Sequence, residues 1–367
     1  MSSRRNFLAA AAAGTASLWA KGGAAAPPAA TASDAPADDA RAAGTDNLIL
    51  SVQPGRVYKR GSDRNALRTE QWLFNLLLRS PAQVAPVFES LVVTCRSGDQ
   101  LRRTTTWTAP DAARANLLAA APMQAPEGDW LVAAFRIFDA MPAELAVDRV
   151  DCALQCRTPR GPRRFQASVR LQTYAQKTRL VFPFEGRGMI TQGGAWNDGH
   201  RNRSGMFAVD AIGLTDLYAA MVAQGDEPSA AAGWGRALIA PAAGTVVVAR
   251  NDRPDQPVLG VSDPKYFVAE FPNGGDPGNH VVIDHGNGEF SLLAHTQHGS
   301  VRVAPGARVE QGQALGLLGN SGDTNSPHVH HQLQDGPPWT TSDALPHAYE
   351  NGPKQQHDRG AFFDAKR

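Results

Sequence analysis

The run Ser326–Gln332 (SPHVHHQ) decides the fold of the second half of this 367-residue chain. Alternate side chains of a β-strand point to the same face, so His328 and His330 are predicted to share one face and His331 to lie on the other. Paired imidazoles on one face are typical of a metal site. All ten histidines lie at or beyond His200, so imidazole chemistry belongs to the second half.

The other ligands of such a site are expected upstream. The segment Gly199–Asp210 (GHRNRSGMFAVD) supplies His200, a glycine-bearing polar turn and Asp210 at the end of a short apolar run. A catalytic zinc ion takes three protein ligands and leaves one position to water. His200, Asp210 and His330 are therefore the candidate ligands, and two further histidines, His328 and His295, are candidates for proton transfer.

These segments resemble the lysostaphin-like or LytM-type zinc endopeptidases, which cut the peptide cross-links of the bacterial cell wall. That family carries a His…Asp pair, a later histidine after a Tyr/Leu-Ala-His strand and a closing His-x-His. The similarity covers about residues 181–350, and its further segments follow in family order: Ala240–Val247, Gly278–Gly288, Val303–Gln313 and Gly316–Gly322.

The resemblance implies that His200, Asp210 and His330 bind one Zn²⁺ and that His295 and His328 are the two catalytic histidines outside the metal's ligand set. The chain contains no His-Glu-x-x-His motif, so the glutamate base of that protease class is absent and a histidine must move the proton. We assign His328 as the general base toward water. His295 is then a hydrogen-bond donor to the oxyanion or an acid to the leaving amine, and the two roles are interchangeable.

This chain departs from the family pattern at three places. Nine residues separate His200 from Asp210, where the common spacing is short. Leu293 stands where many members have tyrosine, and His331 with Gln332 stands where Phe-Glu is usual. None of these changes removes a ligand. The remaining histidines are interpreted as ordinary surface or core groups: His280, His285, His298, His331, His347 and His357.

Three functions are compatible with these patterns. The preferred one is a zinc endopeptidase that acts on peptidoglycan peptides. The alternative is a non-catalytic LytM-type regulator that activates a cell-wall amidase, but such domains typically lack a ligand and this chain lacks none. A lipoyl- or biotin-carrier-like barrel needs a lysine at its hairpin tip, and none occurs between Lys265 and Lys354.

The N-terminus predicts export. Arg4 and Arg5 precede Phe7, Leu8 and an alanine-rich stretch, which resembles a twin-arginine signal peptide over residues 1–26. Its loss would remove three positive charges and change the net charge from +1 to about −2, so no basic patch suggests nucleic acid. We expect recognition by the twin-arginine translocase, a periplasmic, extracellular or cell-wall location and no stable membrane insertion.

The rest of the chain is predicted to be mainly β. Residues 27–46 read as a disordered linker, and residues 47–180 as an antiparallel β-sandwich of unknown role, because short alternating runs recur between turn residues. Residues 181–350 read as a LytM-type twisted antiparallel open barrel or sheet, and 351–367 as a tail. Cys95, Cys152 and Cys156 allow at most one internal disulfide, from Cys95 to either of the others; buried free thiols are the equal alternative.

Overall fold

The computed structural model describes most of the chain beyond residue 46. The described residues are 47–62, 68–81, 84, 86–114, 123–124, 130–193, 200, 202–215, 225–266, 275–352 and 359–366. The predicted signal peptide and linker lie outside these ranges, as does His357. None of the described helices is long and apolar enough to cross a membrane.

The first half forms two packed β-layers. Its elements are β1 Ile49–Gln53, β2 Val57–Ser62, β3 Thr69–Pro81, β4 Val87–Ser97, β5 Gln100–Thr108, the short helix α1 Ala109–Arg114, β6 Met123–Gln124, β7 Trp130–Pro142, β8 Arg149–Thr158 and β9 Gly161–Thr173. One layer runs β5-β4-β8-β9, and the other runs β2-β3-β7-β6 with β1 added to β3. A parallel β2–β9 pair joins them.

The core of the first half lies between these layers. Every second residue of β3, including Trp72, Phe74, Leu76 and Leu78, is buried against the facing layer, as the period of two in a strand requires. The three cysteines belong to the same core and are free thiols. Burial raises the pKa of Cys152 to about 12. The structure thus corresponds to the alternative with buried thiols.

The second half forms an open antiparallel sheet. Its strands are β10 Gly186–Gln192, β11 Val209–Gly213, β12 Ala237–Ile239, β13 Gly244–Ala249, β14 Asn279–Asp284, β15 Phe290–Thr296, β16 Arg308–Val309, β17 Ala314–Leu317, β18 Val329–Gln334, β19 Ala344–Leu345 and β20 Phe362–Ala365. The main order is β16-β13-β14-β15-β18-β11-β10-β20, with β19 beside β18 and a separate β12–β17 pair.

The mainly β prediction, a sandwich followed by an open antiparallel sheet, is confirmed. Two features differ from the expectation. The parallel β2–β9 pair was not indicated by any sequence signal. Residues Phe362–Ala365, which fall in the predicted tail, pair with β10 because Phe363 packs on Phe182 and Phe184 of the core.

Contacts among the described residues join the first half and the connecting segment to the second half. Tyr58 of β2 packs in the core of the second half and meets Tyr174 edge to face. The buried carboxylate of Glu289 accepts hydrogen bonds from Tyr174 Oη and from two backbone N–H groups of the connecting segment, those of Lys177 and Thr178. Arg56 donates to Asp335, the residue after β18, at 2.8 Å. The first half therefore meets the second at its core, at Glu289 before β15 and at Asp335 after β18.

Candidate functional site

Three of the predicted site residues converge on one point. Asp210 of β11 and His330 of β18 are directly opposite one another in an antiparallel pair, so their side chains share a face. His330 Nδ1 lies 2.9 Å from Asp210 Oδ1. His200 Nε2 approaches the same two atoms, at 3.1 Å from the carboxylate oxygen and 3.0 Å from the imidazole nitrogen.

Protons alone do not explain this triangle of atoms. If both imidazoles donate to Asp210, the two nitrogens that are 3.0 Å apart both carry hydrogen and repel each other. One cation at the centre would satisfy all three lone pairs. A tetrahedral zinc ion with bonds of about 2.0–2.1 Å places its ligand atoms roughly 3.3 Å apart. The observed separations are close to this value, and the two-histidine, one-carboxylate set suits zinc.

The electrostatics of the three groups favour a cation over a proton at His200. Burial lowers the pKa of His200 to about 4, so its ring is neutral at pH 7. Burial raises the pKa of Asp210, but the charges of His328 and His200 and the interactions with His330 outweigh it and hold that pKa below its usual range. Burial also lowers the pKa of His330, yet its bond to Asp210 leaves the pKa raised.

His328 faces the same point from the turn before β18. Its Nδ1–H donates to Ser326 O at 2.8 Å, with Thr324 Oγ1 at 3.3 Å. Because a carbonyl only accepts, this bond places the proton on Nδ1 and leaves Nε2 bare in the neutral ring. Nε2 lies 3.6 Å from Asp210 Oδ2. The ring therefore presents a basic nitrogen beside the three converging atoms.

His295 adds a second such nitrogen in a strained backbone conformation. Its φ is +59°, in the left-handed region that is uncommon for a non-glycine residue and clusters at functional sites. The backbone N–H donates to Pro277 O at 2.9 Å, and the ring Nδ1–H donates to Ser321 O at 2.8 Å. Its ring centroid is 4.7 Å from that of His328. Burial, followed by the charges of His328 and His330, lowers the pKa of His295 well below its usual value.

Two glycines bring the supporting loops close enough to hold His295. Gly278 and Gly322 both have positive φ, at +65° and +85°. A Cβ on Gly278 would lie 2.2 Å from Ser321 O, and a Cβ on Gly322 would lie 2.4 Å from the backbone nitrogen of Gly278. No side chain fits between these loops. The close approach places the carbonyl of Ser321 where the His295 ring needs an acceptor.

The other described histidines do not join this cluster. His331 lies on the opposite face of β18 and contacts Tyr349 Oη at 2.5 Å and Ser291 Oγ at 3.1 Å. His285 and His347 contact the same two hydroxyls, one each. His280 bonds to the carbonyl of Gly278 at 2.8 Å, and His298 is exposed. Each of the five thus lies where an ordinary core or surface histidine would lie.

Sequence reasoning missed the groups that orient these rings. The carbonyls of Ser321 and Ser326 have no side-chain signature, so no pattern identifies them. Gln332 is different, because its Oε1 lies 2.9 Å from His330 Nε2. It follows His330 by two residues on a strand, and that spacing alone places both side chains on one face.

Residues 229–339 match the family model of Peptidase family M23. The matched stretch contains His295, His328 and His330, whereas His200 and Asp210 precede it. A relative, peptidoglycan DD-endopeptidase ShyA of Vibrio cholerae serotype O1, is 41% identical over 56 residues, which are 15% of this chain and 13% of ShyA. This chain thus spans about an eighth of that relative's length.

Two solved structures show a more distant likeness. The catalytic domain of a variant of the prophage-encoded protein EnpA from Enterococcus faecalis is 15% identical, with 47% of this chain and 91% of that chain covered and a TM-score of 0.26. A zinc-containing peptidase from Vibrio cholerae is 12% identical, with 72% and 77% covered and a TM-score of 0.27. TM-scores this low are not evidence about the site. The family assignment therefore rests on the match of residues 229–339. The chain carries a domain of Peptidase family M23, the LytM-type family that its sequence resembles.

Proposed function

We propose that the protein is a zinc-dependent endopeptidase that hydrolyses peptide bonds in bacterial peptidoglycan. One observation carries the proposal: His200, Asp210 and His330 converge within 3.1 Å of one another, and two further imidazoles present free Nε2 atoms beside them. The relative ShyA is a peptidoglycan DD-endopeptidase, which supports the substrate class. A complete site with adjacent proton-transfer groups is what a hydrolase requires.

In this proposal His200 Nε2, Asp210 Oδ1 and His330 Nδ1 hold the zinc ion. When bound, zinc supplies Lewis-acid activation of water and of the peptide carbonyl. His328 Nε2 would take a proton from the attacking water, because its Nδ1 is already committed to Ser326 O. His295 would donate a hydrogen bond to the oxyanion or a proton to the leaving amine as an imidazolium, because its Nδ1–H is committed to Ser321 O and its Nε2 gains a proton only when the ring is charged.

The test is cleavage of purified peptidoglycan by the zinc-loaded full chain. We expect new amino groups to appear, the products to be identified as muropeptides by mass spectrometry, and chelation to abolish the reaction. Asp210→Ala and His330→Ala should lose both zinc and cleavage, while His298→Ala, which removes an exposed histidine, should lose neither. Full zinc retention in both ligand variants would refute the metal assignment.

The regulator alternative predicts a different pattern. An activator would show no cleavage alone, would promote solubilisation only when a separate amidase is added, and would do so equally well as the His330→Ala variant. This result would refute the hydrolase proposal. A parallel reaction that contains the amidase is therefore enough to distinguish the hydrolase from the activator.

We also propose that the protein works outside the cytoplasm, in the periplasm or at the cell wall, after twin-arginine export. The support is Arg4 and Arg5 ahead of a weakly apolar stretch. Arg4→Lys combined with Arg5→Lys should leave the precursor in the cytoplasm, measured by fractionation. Undiminished export of this double variant would point to the general secretory route.

A further inference from the structure

Three side chains on one face of β18 form a continuous line. His330, Gln332 and Gln334 are spaced by two, so all three project to the face that holds the metal site. Gln332 is 3% exposed and Gln334 is fully buried. A buried side-chain amide needs a hydrogen-bond partner for its oxygen and another for its nitrogen. Both groups of both amides have such a partner here.

The hydrogen bonds run in one direction along this line. His330 Nε2 lies 2.9 Å from Gln332 Oε1. Gln332 Nε2 donates to Gln334 Oε1. Gln334 Nε2 then donates to two backbone carbonyls beyond the end of the strand, Gly336 O at 2.6 Å and Pro337 O at 3.2 Å.

The backbone carbonyls at the far end fix the direction of the whole line. A carbonyl only accepts, so the end of Gln334 that faces Gly336 and Pro337 must be its NH₂ group. Its oxygen then faces Gln332, which must present its own NH₂ group and turn its oxygen to His330. That oxygen accepts only from an Nε2–H. The line therefore requires a proton on Nε2 and leaves Nδ1 as the nitrogen that would bind the metal, or that donates to Asp210 when no metal is bound.

We infer that Gln332 and Gln334 are positioning residues that set the tautomer and orientation of His330 as a metal ligand. The inference rests on the proposed metal role of His330. It also gives a physical reason for Gln332, which stands where glutamate is usual in the LytM-type family. A carboxylate at this position accepts at both oxygens and cannot pass a direction to His330 from Gln334, whereas an amide can. The amide also leaves the site without an additional negative charge.

The inference is tested by zinc affinity of the full chain, measured by competition with a chromogenic chelator. Removing a partner of a ligating histidine costs about 10–100-fold in metal affinity, so Gln332→Leu should weaken zinc binding by that amount. Gln334→Leu should weaken it less, because Gln332 keeps its bond but loses its fixed direction. Gln332→Glu should rescue most of the affinity, since a carboxylate still accepts from Nε2–H. Gln313→Leu, at an exposed position between β16 and β17, should have no effect.

A second measurement separates this inference from the proposed function. In the metal-free protein, ¹H–¹⁵N spectra of His330 should show an Nε2–H proton that exchanges slowly with water in wild type, whether or not Nδ1 carries a proton for Asp210. The same proton should exchange faster in Gln332→Leu. This readout stands even if the wild type binds no zinc or cleaves no peptidoglycan. An unchanged exchange rate of the Nε2–H proton together with an unchanged zinc affinity in folded Gln332→Leu would overturn the inference.

Discussion

Two adjacent histidines of β18 have opposite environments. His330 points to the face where Asp210 and His200 converge, and its pKa is raised by its bond to Asp210 despite burial. His331 points to the other face, where burial, followed by the charges of the neighbouring histidines His347 and His285, lowers its pKa well below its usual value. The pleat of a strand is enough to separate the proposed metal ligand from a core histidine.

The face of β18 that carries His330 is called the near face, and the face that carries His331 is called the far face. On both faces, a chain of hydrogen bonds that ends on a backbone carbonyl sets the tautomer of the histidine. On the far face His285 Nδ1–H donates to Ala243 O at 2.9 Å, so its Nε2 accepts from Ser291, which in turn accepts from His331 Nε2–H. On the near face a line of amides that ends on Gly336 and Pro337 orients His330. Backbone carbonyls thus set both tautomers. What differs is whether the remaining ring nitrogen faces the proposed metal site or Tyr349.

The largest expected effect concerns the near face. His328→Ala and His295→Ala remove proton-transfer groups but no ligand, so turnover on peptidoglycan should fall by roughly 10²–10⁴-fold with zinc retained. Metal analysis and a thermal scan on each variant provide the controls. Activity within a few-fold of wild type in His295→Ala would show that its position beside His328 serves no catalytic step.

The far face is expected to control stability. His331→Phe keeps an aromatic ring but removes one hydrogen-bond partner each from Tyr349 Oη and Ser291 Oγ inside the core, while His347 and His285 remain as partners of these hydroxyls. Unfolding free energy should fall by about 1–3 kcal/mol, the usual cost of leaving buried polar groups short of a partner. Zinc affinity should stay within about threefold of wild type. A large loss of zinc without a loss of stability would break the separation of the two faces.

Much of this arrangement could be read from the sequence, and the reasons differ by residue. His330 was predictable because alternation fixes its face and the family motif fixes its partners. The parallel β2–β9 pair was not, because strand partners far apart in the chain leave no local signal. His295 required the motif, since nothing in Phe290–His295 reveals a φ of +59°. Gln332 was visible as a departure, but its role depended on carbonyls that no side-chain pattern encodes.

Low pH should lower the stability of the core on the far face of β18, because it favours protonation of His347. Burial lowers the pKa of His347 to about 3, against about 6.5 in an unfolded chain. The unfolded state therefore binds more protons below pH 6.5, and stability is lost as pH falls through that value. Between pH 7 and pH 5 this group should cost about 2 kcal/mol.

The measurement is urea unfolding at both pH values, for the wild type and for His347→Gln, which cannot titrate. The difference between the two proteins should appear at pH 5 as a smaller acid loss in the variant. Metal-free protein is used for both, because zinc at the near face would add its own pH dependence. Equal acid sensitivity in the two proteins would show that His347 titrates normally and is not held neutral by the core.

The smallest expected effect lies where the first half meets the end of β18. Arg56 is 56% exposed in its ion pair with Asp335, so Arg56→Ala should change unfolding free energy by less than about 1 kcal/mol. Tyr174→Phe is the matched comparison, because it removes a donor from the buried Glu289 and should cost more, about 1–3 kcal/mol. Neither change touches the near face, and zinc affinity should be unaltered in both. If Arg56→Ala weakens zinc binding, the contact at Asp335 reaches His330 through the strand, and the two halves of the chain are coupled at the metal site as well as at the core.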